Sequence, residues 1–247
     1  MTAPVFVVAH FHAGDGGRFV LDGAEGRHAV SVKRLRPCED VILTDGAGRW
    51  ADCVVTGTEG KDRLIVQLDS VAEDPAPEPR LTVVQALPKG DRGEVAVETM
   101  TEVGVDAIVP WAATRCITQW KGERAAKGLA KWRNTAREAG KQSRRTRFPE
   151  IAALHTGKEV ADLLAAADFA AVLHESGENA LATAELPATG TIVLVVGPEG
   201  GVTPEELALF EAAGARPHQL GPTVLRTSTA GTAAAALLLG RTGRWSS

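Results

Sequence analysis

Residues 191–214 read TIVLVVGPEGGVTPEELALFEAAG, which parses as a buried strand to Val196, a glycine turn from Gly197 to Gly201, and a helix beyond it. Three signals agree on the helix start. Thr203 is a capping residue, Pro204 suits the first helical position, and Glu206 falls where a capping box needs an acid, while Gly214 is a natural stop. Glycines between a strand end and a helix start let the backbone approach a ligand and leave N–H groups facing a crevice. At the carboxyl edge of a parallel sheet, that is where ligands sit. The turn fits neither common nucleotide fingerprint: no Lys follows Gly201, the glycines at 197, 200 and 201 have the wrong spacing for a dinucleotide loop, and Glu199 would repel a pyrophosphate. Taken alone, the turn is as compatible with a structural role as with a binding one.

A second irregular turn, LGPTVLRTSTAG at 220–231, leads into an alanine-rich helix expected over Thr232 to Leu239. Gly221 and Pro222 force the path, and the hydroxyls of Thr227, Ser228 and Thr229 are expected to cap the helix. Working outward, strand-like runs alternate with helical ones: Leu81 to Leu87, a helix near Asp91 to Val103, Ala107 to Trp111, then Phe169 to Leu173 and Thr191 to Val196. Such alternation predicts a parallel sheet covered by helices. Upstream, AEDPAPEPR at 72–80 breaks the apolar pattern with three prolines and is placed as a linker (73–80) between a unit over 1–72 and a larger one over 81–247. The first unit reads as a small β-rich domain or barrel, with short apolar segments between turns at Asp15-Gly16-Gly17, Asp22-Gly23 and Asp45-Gly46, and one helix near Gly26 to Leu35.

At 247 residues the chain can bury a sizeable core, and no apolar run approaches the ~18 residues of a membrane span. No secretory leader is apparent, so the expected compartment is the cytoplasm, without a membrane partner. Cys38, Cys53 and Cys116 are odd in number and widely spaced, which suggests neither disulfides nor a metal site. The net charge of -4 is unevenly spread, because Arg115 to Phe148 holds eleven Lys/Arg against two acids. On a helix over Glu123 to Gln142, Ala125, Leu129, Trp132, Ala136 and Ala139 share one sector, and Arg133, Arg137, Lys141 and Arg144 share the opposite half. A basic face on an acidic protein attracts a polyanion to one side. The paucity of acids within the helix argues against a merely solvated face.

The combination of VVGPEGG (195–201) and LGPTVLRTSTA (220–230) closely resembles the SPOUT class of S-adenosylmethionine-dependent RNA methyltransferases, and within it the RsmE family, which methylates N3 of a uridine in 16S ribosomal RNA. The resemblance extends to QALPKGDRGEVAVETMTEVGV (85–105), IVPWAATRC (108–116), KWRNTAREAGKQSRRTRFPEI (131–151) and HAVSVKRLRPCEDVILTDGAGRW (28–50), so it covers nearly the whole chain. It implies an α/β protein: an N-terminal PUA-like RNA-binding β-barrel, then a SPOUT domain whose C-terminal segment threads a trefoil knot, acting as a homodimer on 16S rRNA or the small ribosomal subunit.

It further implies that S-adenosylmethionine lies against Leu173, His174 and Glu175, the turn Val196, Gly197, Pro198, Glu199, Gly200 and Gly201, then Leu220, Gly221, and Leu225, Arg226, Thr227, Ser228, Thr229 and Ala230. Ser228 stands where many relatives carry Glu, and Lys141 and Arg144 replace a more usual Glu and Gly. Uracil N3 must lose a proton before it can attack, so a group that stabilises charge on the base oxygens is needed. Arg226 is assigned that role, with Glu138 and His174 as candidate bases and direct loss to water as the alternative. Arg133, Arg137, Lys141, Arg144, Arg145 and Arg147 would hold backbone phosphates, and Arg27, Lys33, Arg34 and Arg36 would extend the track. Two rival readings remain at this stage. A non-enzymatic RNA-binding module would bind no S-adenosylmethionine, and a nucleotide-dependent oxidoreductase would bind NAD.

Overall fold

The computed structural model describes residues 3–11, 17–68 and 70–246. The chain divides into two compact units: one runs to Ala76 and takes in Gly140–Phe148, and the other holds Pro77–Ala139 and everything from Pro149.

The first unit contains β1 (Val5–Val7), β2 (Arg18–Leu21), α1 (Gly23–Arg27) continued by a π-helical turn over His28–Val32, β3 (Asp40–Thr44), β4 (Arg49–Glu59), β5 (Arg63–Leu68) and β6 (Ala72–Glu73). Its sheet runs β1-β3-β4-β5-β2, with β6 on β4. Only β1 and β3 pair in parallel; the other pairs are antiparallel. Period-two alternation sets the buried face, since Ala51, Cys53 and Val55 of β4 and Leu64, Val66 and Leu68 of β5 point inward between more exposed neighbours. Gly26 is buried because a Cβ there would stand 2.1 Å from the Asp62 carbonyl oxygen, so α1 docks where only glycine fits. Of the turn expected at Asp15-Gly16-Gly17, the first two residues lie outside the described residues.

The segment Gly140–Phe148 belongs with this unit through specific bonds. Phe148 N–H donates to the Gly46 carbonyl at 2.8 Å, the Thr44 hydroxyl donates to the Thr146 carbonyl at 2.8 Å, and Arg147 donates to the Asp74 carbonyl at 2.9 Å. The proline segment was expected to carry no regular structure. Instead Ala72 and Glu73 pair with Trp50 and Arg49 before the chain becomes irregular up to Arg80.

The second unit contains β7 (Arg80–Ala86), α2 (Arg92–Val103), β8 (Ala107–Trp111), α3 (Glu123–Gln142, whose last three residues group with the first unit), β9 (Glu150–Ile151), α4 (Gly157–Ala165), β10 (Phe169–Leu173), β11 (Asn179–Ala180), β12 (Thr191–Val196), α5 (Pro204–Ala212), β13 (Arg216–Gln219) and α6 (Thr227–Arg241). All seven strands are parallel, in the order β11-β13-β10-β12-β7-β8-β9. Strands covered on both faces are apolar throughout, and β8 and nearly all of β7 and β12 are buried. Trp132, Ala136 and Ala139 on the apolar sector of α3 are buried as the helical period predicts. Gly93 of α2 admits Trp132, whose indole nitrogen would lie 2.8 Å from a Cβ at that position. The short strands β9 and β11 were not among those expected, and two helices differ from the reading above. The α4 helix carries a full capping box, Thr156 with Glu159, that the alternation pattern passed over. The α6 helix starts at Thr227 rather than Thr232, with Arg226 at its N-cap and no side-chain cap bond, so the hydroxyls do not close its first turn.

No helix among the described residues is long and apolar enough to cross a membrane.

Candidate active site

The strand order places the ends of β10, β12 and β13 side by side, because β12 lies between β10 and β7 while β13 flanks β10. The segments leaving those ends are the ones singled out in the sequence: Leu173 to Glu175, Val196 to Gly201, and Leu220 onward. They enclose a cavity of about 660 Å³. It is lined by every residue assigned to the methyl donor except Ser228 and Thr229. Ser228 is buried and Thr229 is exposed, its hydroxyl donating to the Arg226 carbonyl at 3.2 Å. Both belong to the first turn of α6 and not to the cavity wall.

The glycine turn is shaped by close contacts. Gly201 has φ +76, a left-handed conformation that favours glycine. A Cβ on Gly197 would stand 2.8 Å from Val202 Cγ2, and one on Gly200 would stand 3.0 Å from Arg115 Cβ. The Gly201 N–H donates to the Pro198 carbonyl at 2.9 Å. Downstream, α5 opens with the expected capping box: Glu206 N–H donates to the Thr203 hydroxyl at 3.2 Å, and Thr203 N–H donates to the Glu206 carboxylate at 3.0 Å, with Pro204 in the first turn.

Two cavity-lining cations were missed in the sequence. Arg115, in the loop after β8, donates to the Gly200 carbonyl at 2.9 Å. Arg92, at the start of α2, lies 3.6 Å from the Glu199 carboxylate, whose Oε1 also accepts the Lys89 N–H at 3.1 Å. The runs KGDR and ATRC that carry these residues were part of the resemblance. What joins them to the glycine turn is the adjacency of β12, β7 and β8, which sequence order does not state.

His174 accepts at Nδ1 from the Ser176 backbone N–H at 3.2 Å, with the Ser176 hydroxyl 2.7 Å from the same atom. With Nδ1 accepting the Ser176 N–H, a proton on the singly protonated ring sits on Nε2. Glu138, on α3, is not among the residues that line the cavity. Arg226 does line it; the side chain is exposed, and its guanidinium makes no hydrogen bond or ion pair among the described residues. Beside the cavity, burial pushes the Cys116 thiol above its ordinary value, which matches an inert core cysteine. Glu205 is held below the carboxylate range by a bond to its own backbone N–H and by the Thr203 hydroxyl.

The basic residues divide. Arg133 and Arg137 fall in the second unit, both exposed, and Arg133 donates to the Ile151 carbonyl at 3.3 Å. Lys141, Arg144, Arg145 and Arg147 fall in the first unit. Lys141 departs from a phosphate-binding role, since its ammonium is 3.0 Å from Glu25 with both side chains largely enclosed, at 9% and 13% exposure. Arg147 is half-buried on Asp74. The helix also pairs more than its composition suggested: Lys127 lies 3.7 Å from Glu123, and Lys131 lies 2.9 Å from Glu94. Arg27, Lys33, Arg34 and Arg36 are exposed on the first unit.

An RNA methyltransferase domain family model matches residues 75–239, and an RNA methyltransferase PUA domain model matches residues 21–69, so sheet and cavity are those of an RNA methyltransferase. The ribosomal RNA small subunit methyltransferase E of Mycobacterium bovis is 44% identical over 93% of this chain and 89% of its own, and that of Bacillus subtilis is 27% identical over 86% of each. The crystal structure of the Neisseria gonorrhoeae ribosomal RNA small subunit methyltransferase E, bound to S-adenosyl methionine, superposes with a TM-score of 0.85 at 31% identity, covering 99% of this chain and 98% of the other. The chain belongs to the ribosomal RNA small subunit methyltransferase E family.

Proposed function

We propose that the protein transfers a methyl group from S-adenosylmethionine to N3 of a uridine in 16S ribosomal RNA. The observation that carries the reading is one cavity that gathers the glycine turn, the 220–230 segment and Arg226, whose guanidinium has no partner among the described residues. The residues fit the donor. The cavity volume lies within the ~300–1,000 Å³ of small-molecule sites, Leu173, Val196, Leu220 and Leu225 give it apolar walls, and the glycine turn brings backbone close without side chains in the way. When bound, S-adenosylmethionine supplies a methyl carbon activated by its sulfonium.

The chain's own residues have three tasks. The turn and the loop after β13 enclose the reacting groups and reduce water access. Arg226 donates to the uracil oxygens as the N3–H proton leaves, which holds charge on the base. His174, whose Nδ1 accepts the Ser176 N–H, adds its other ring nitrogen as a donor. Glu138 is not among the cavity-lining residues, and the N3 proton goes to solvent. Phosphates of the RNA are held by exposed cations, Arg137 and Arg144 foremost, with Arg133 and the cluster Arg27, Lys33, Arg34 and Arg36, and by the half-buried Arg145.

Several finer features belong to the same reading. The first unit serves as a PUA-like RNA-binding barrel. The C-terminal segment forms a threaded trefoil knot, a reading supported by the return of the chain after β13 to pack α6 on α2, β7 and β12. The protein works as a homodimer in the cytoplasm. The experiment is incubation with S-adenosylmethionine and 16S rRNA from cells lacking the protein, followed by nucleoside mass spectrometry. N3-methyluridine is expected, and Arg226→Ala should lower the rate by about 100-fold, as loss of an oxyanion donor does. Methylation at another atom, or of no RNA, overturns the reading.

A further inference from the structure

The cavity's charge does not suit its methyl donor alone. Its guanidiniums are Arg92, Arg115 and Arg226, and its carboxylates are Glu175 and Glu199, leaving a surplus of cation. S-adenosylmethionine is itself a net cation, with a sulfonium and an ammonium against one carboxylate. Like charge disfavours the pair, so the surplus is complementary to an anion that enters with the donor. The three arginines differ in how firmly they are held. Arg115 is committed to the Gly200 carbonyl at 2.9 Å. Arg92 is 3.6 Å from Glu199, with side chains 42% and 27% exposed, and exposed pairs of that length contribute little. Glu199 keeps the Lys89 N–H at 3.1 Å whether or not Arg92 stays, so the turn does not need Arg92 as an anchor.

We infer that Arg92 is a positioning residue for the RNA: its guanidinium leaves Glu199 and takes a backbone phosphate of the strand that carries the target base into the cavity. Glu199 parks the cation at the cavity rim until RNA arrives. A guanidinium suits the task because its fork matches phosphate oxygens in pairs. The inference rests on the reading above, in which an RNA strand is the acceptor.

The test compares the full-length protein with its Arg92→Gln, Arg92→Lys and Glu199→Gln variants, using 16S rRNA from cells lacking the protein. RNA affinity is measured across a salt series, S-adenosylmethionine affinity by calorimetry, and methylation as kcat and KM separately. Arg92→Gln should flatten the plot of log affinity against log salt by ~0.7–0.9, one phosphate contact, and raise KM for RNA. The kcat at saturating RNA and the affinity for S-adenosylmethionine should hold. Arg92→Lys should recover the salt slope but only part of the KM, and Glu199→Gln, which keeps an acceptor for Lys89, should tighten RNA binding. A loss of S-adenosylmethionine affinity with the salt slope intact would place Arg92 on the donor's carboxylate and overturn the inference, as would an unchanged slope and KM. If the unaltered protein methylates no RNA, the functional reading fails, whatever Arg92 does.

Discussion

Across 92 positions of sequence, the Glu206 carboxylate accepts the backbone N–H of Thr114 at 2.7 Å. The same carboxylate closes the capping box of α5, so one acid joins the helix after the glycine turn to the loop after β8. That loop also supplies Arg115 to the Gly200 carbonyl and the Thr118 hydroxyl to the Pro88 carbonyl at 2.7 Å. Glu206→Ala removes both acceptors, and hydrogen bonds to a charged group are worth ~1.5–3 kcal/mol each. The variant is expected to lose stability on that scale in urea titration and to bind S-adenosylmethionine more weakly in calorimetry. Unchanged binding with reduced stability would confine Glu206 to the helix cap.

Gly231, in the second turn of α6, faces a crowded wall. An added Cβ would lie 2.8 Å from Met100 Sδ and 3.4 Å from both Gln85 Oε1 and Val196 Cγ2. Met100 and Gln85 are fully buried, so neither can swing clear. Gly231→Ala should cost about 1–3 kcal/mol by overpacking, even though alanine favours helix. A more stable variant in denaturant titration would contradict the packing described between α2, α6 and β12.

Gly197 and Gly201 are required for different reasons, and the two substitutions separate them. At Gly201 the nearest atom to a Cβ is Arg115 Nη1 at an ordinary 3.7 Å, so Gly201→Ala suffers from its φ of +76 alone, about 1–2 kcal/mol. At Gly197 the backbone is unremarkable and the clash with Val202 at 2.8 Å is the obstacle. Val202→Ala should therefore rescue Gly197→Ala but not Gly201→Ala, read as recovery of thermal midpoint and of S-adenosylmethionine affinity.

Asp168, before β10, accepts the Thr191 N–H at 2.8 Å and the Thr191 hydroxyl at 3.1 Å. The backbone bond, and after it the hydroxyl, holds this carboxyl below its ordinary value of 3.8. A depressed folded-state pKa stabilises the fold above the unfolded value, and that contribution is lost as pH falls through the folded one. Asp168→Asn should therefore be less stable than the unaltered protein at pH 7, with the gap closing as pH falls below 4. A gap that widens in acid would show that the carboxylate bonds do not set the shift.

Much of the active site was legible before any coordinates, and the reasons are local. Thr203, Pro204 and Glu206 state a helix start through capping chemistry that acts within four residues, and the glycines at 197, 200 and 201 mark a turn where backbone approaches closely. The resemblance named the cavity-lining segments, and the structure brings nearly all of them to one place. What failed was also physical. The hydroxyls after Arg226 looked like caps, but α6 begins at Thr227, where Thr227 and Ser228 are buried in its first turn instead of closing it. The basic stretch was read as one cationic face, yet Lys141 is enclosed with Glu25, an acid 116 residues away that no helical wheel contains. Arg92 and Arg115 were not assigned to the cavity because their meaning depends on which strands are neighbours.

By itself, then, the sequence determined the strands β7, β8, β10 and β12 and the helices α2, α3 and α5, the glycine turn after β12, the chemistry available at Arg226, and kinship with one family of RNA methyltransferases. These follow from short-range sterics, hydrophobic period and motif content, all of which are properties of neighbouring residues. The tertiary structure alone decided that β12 lies between β10 and β7, that α6 packs back on α2, and that one arginine from the start of α2 and one from the loop after β8 meet the glycine turn. Strand order in a parallel sheet is fixed by which apolar faces bury best against each other over long separations, and no local pattern encodes it.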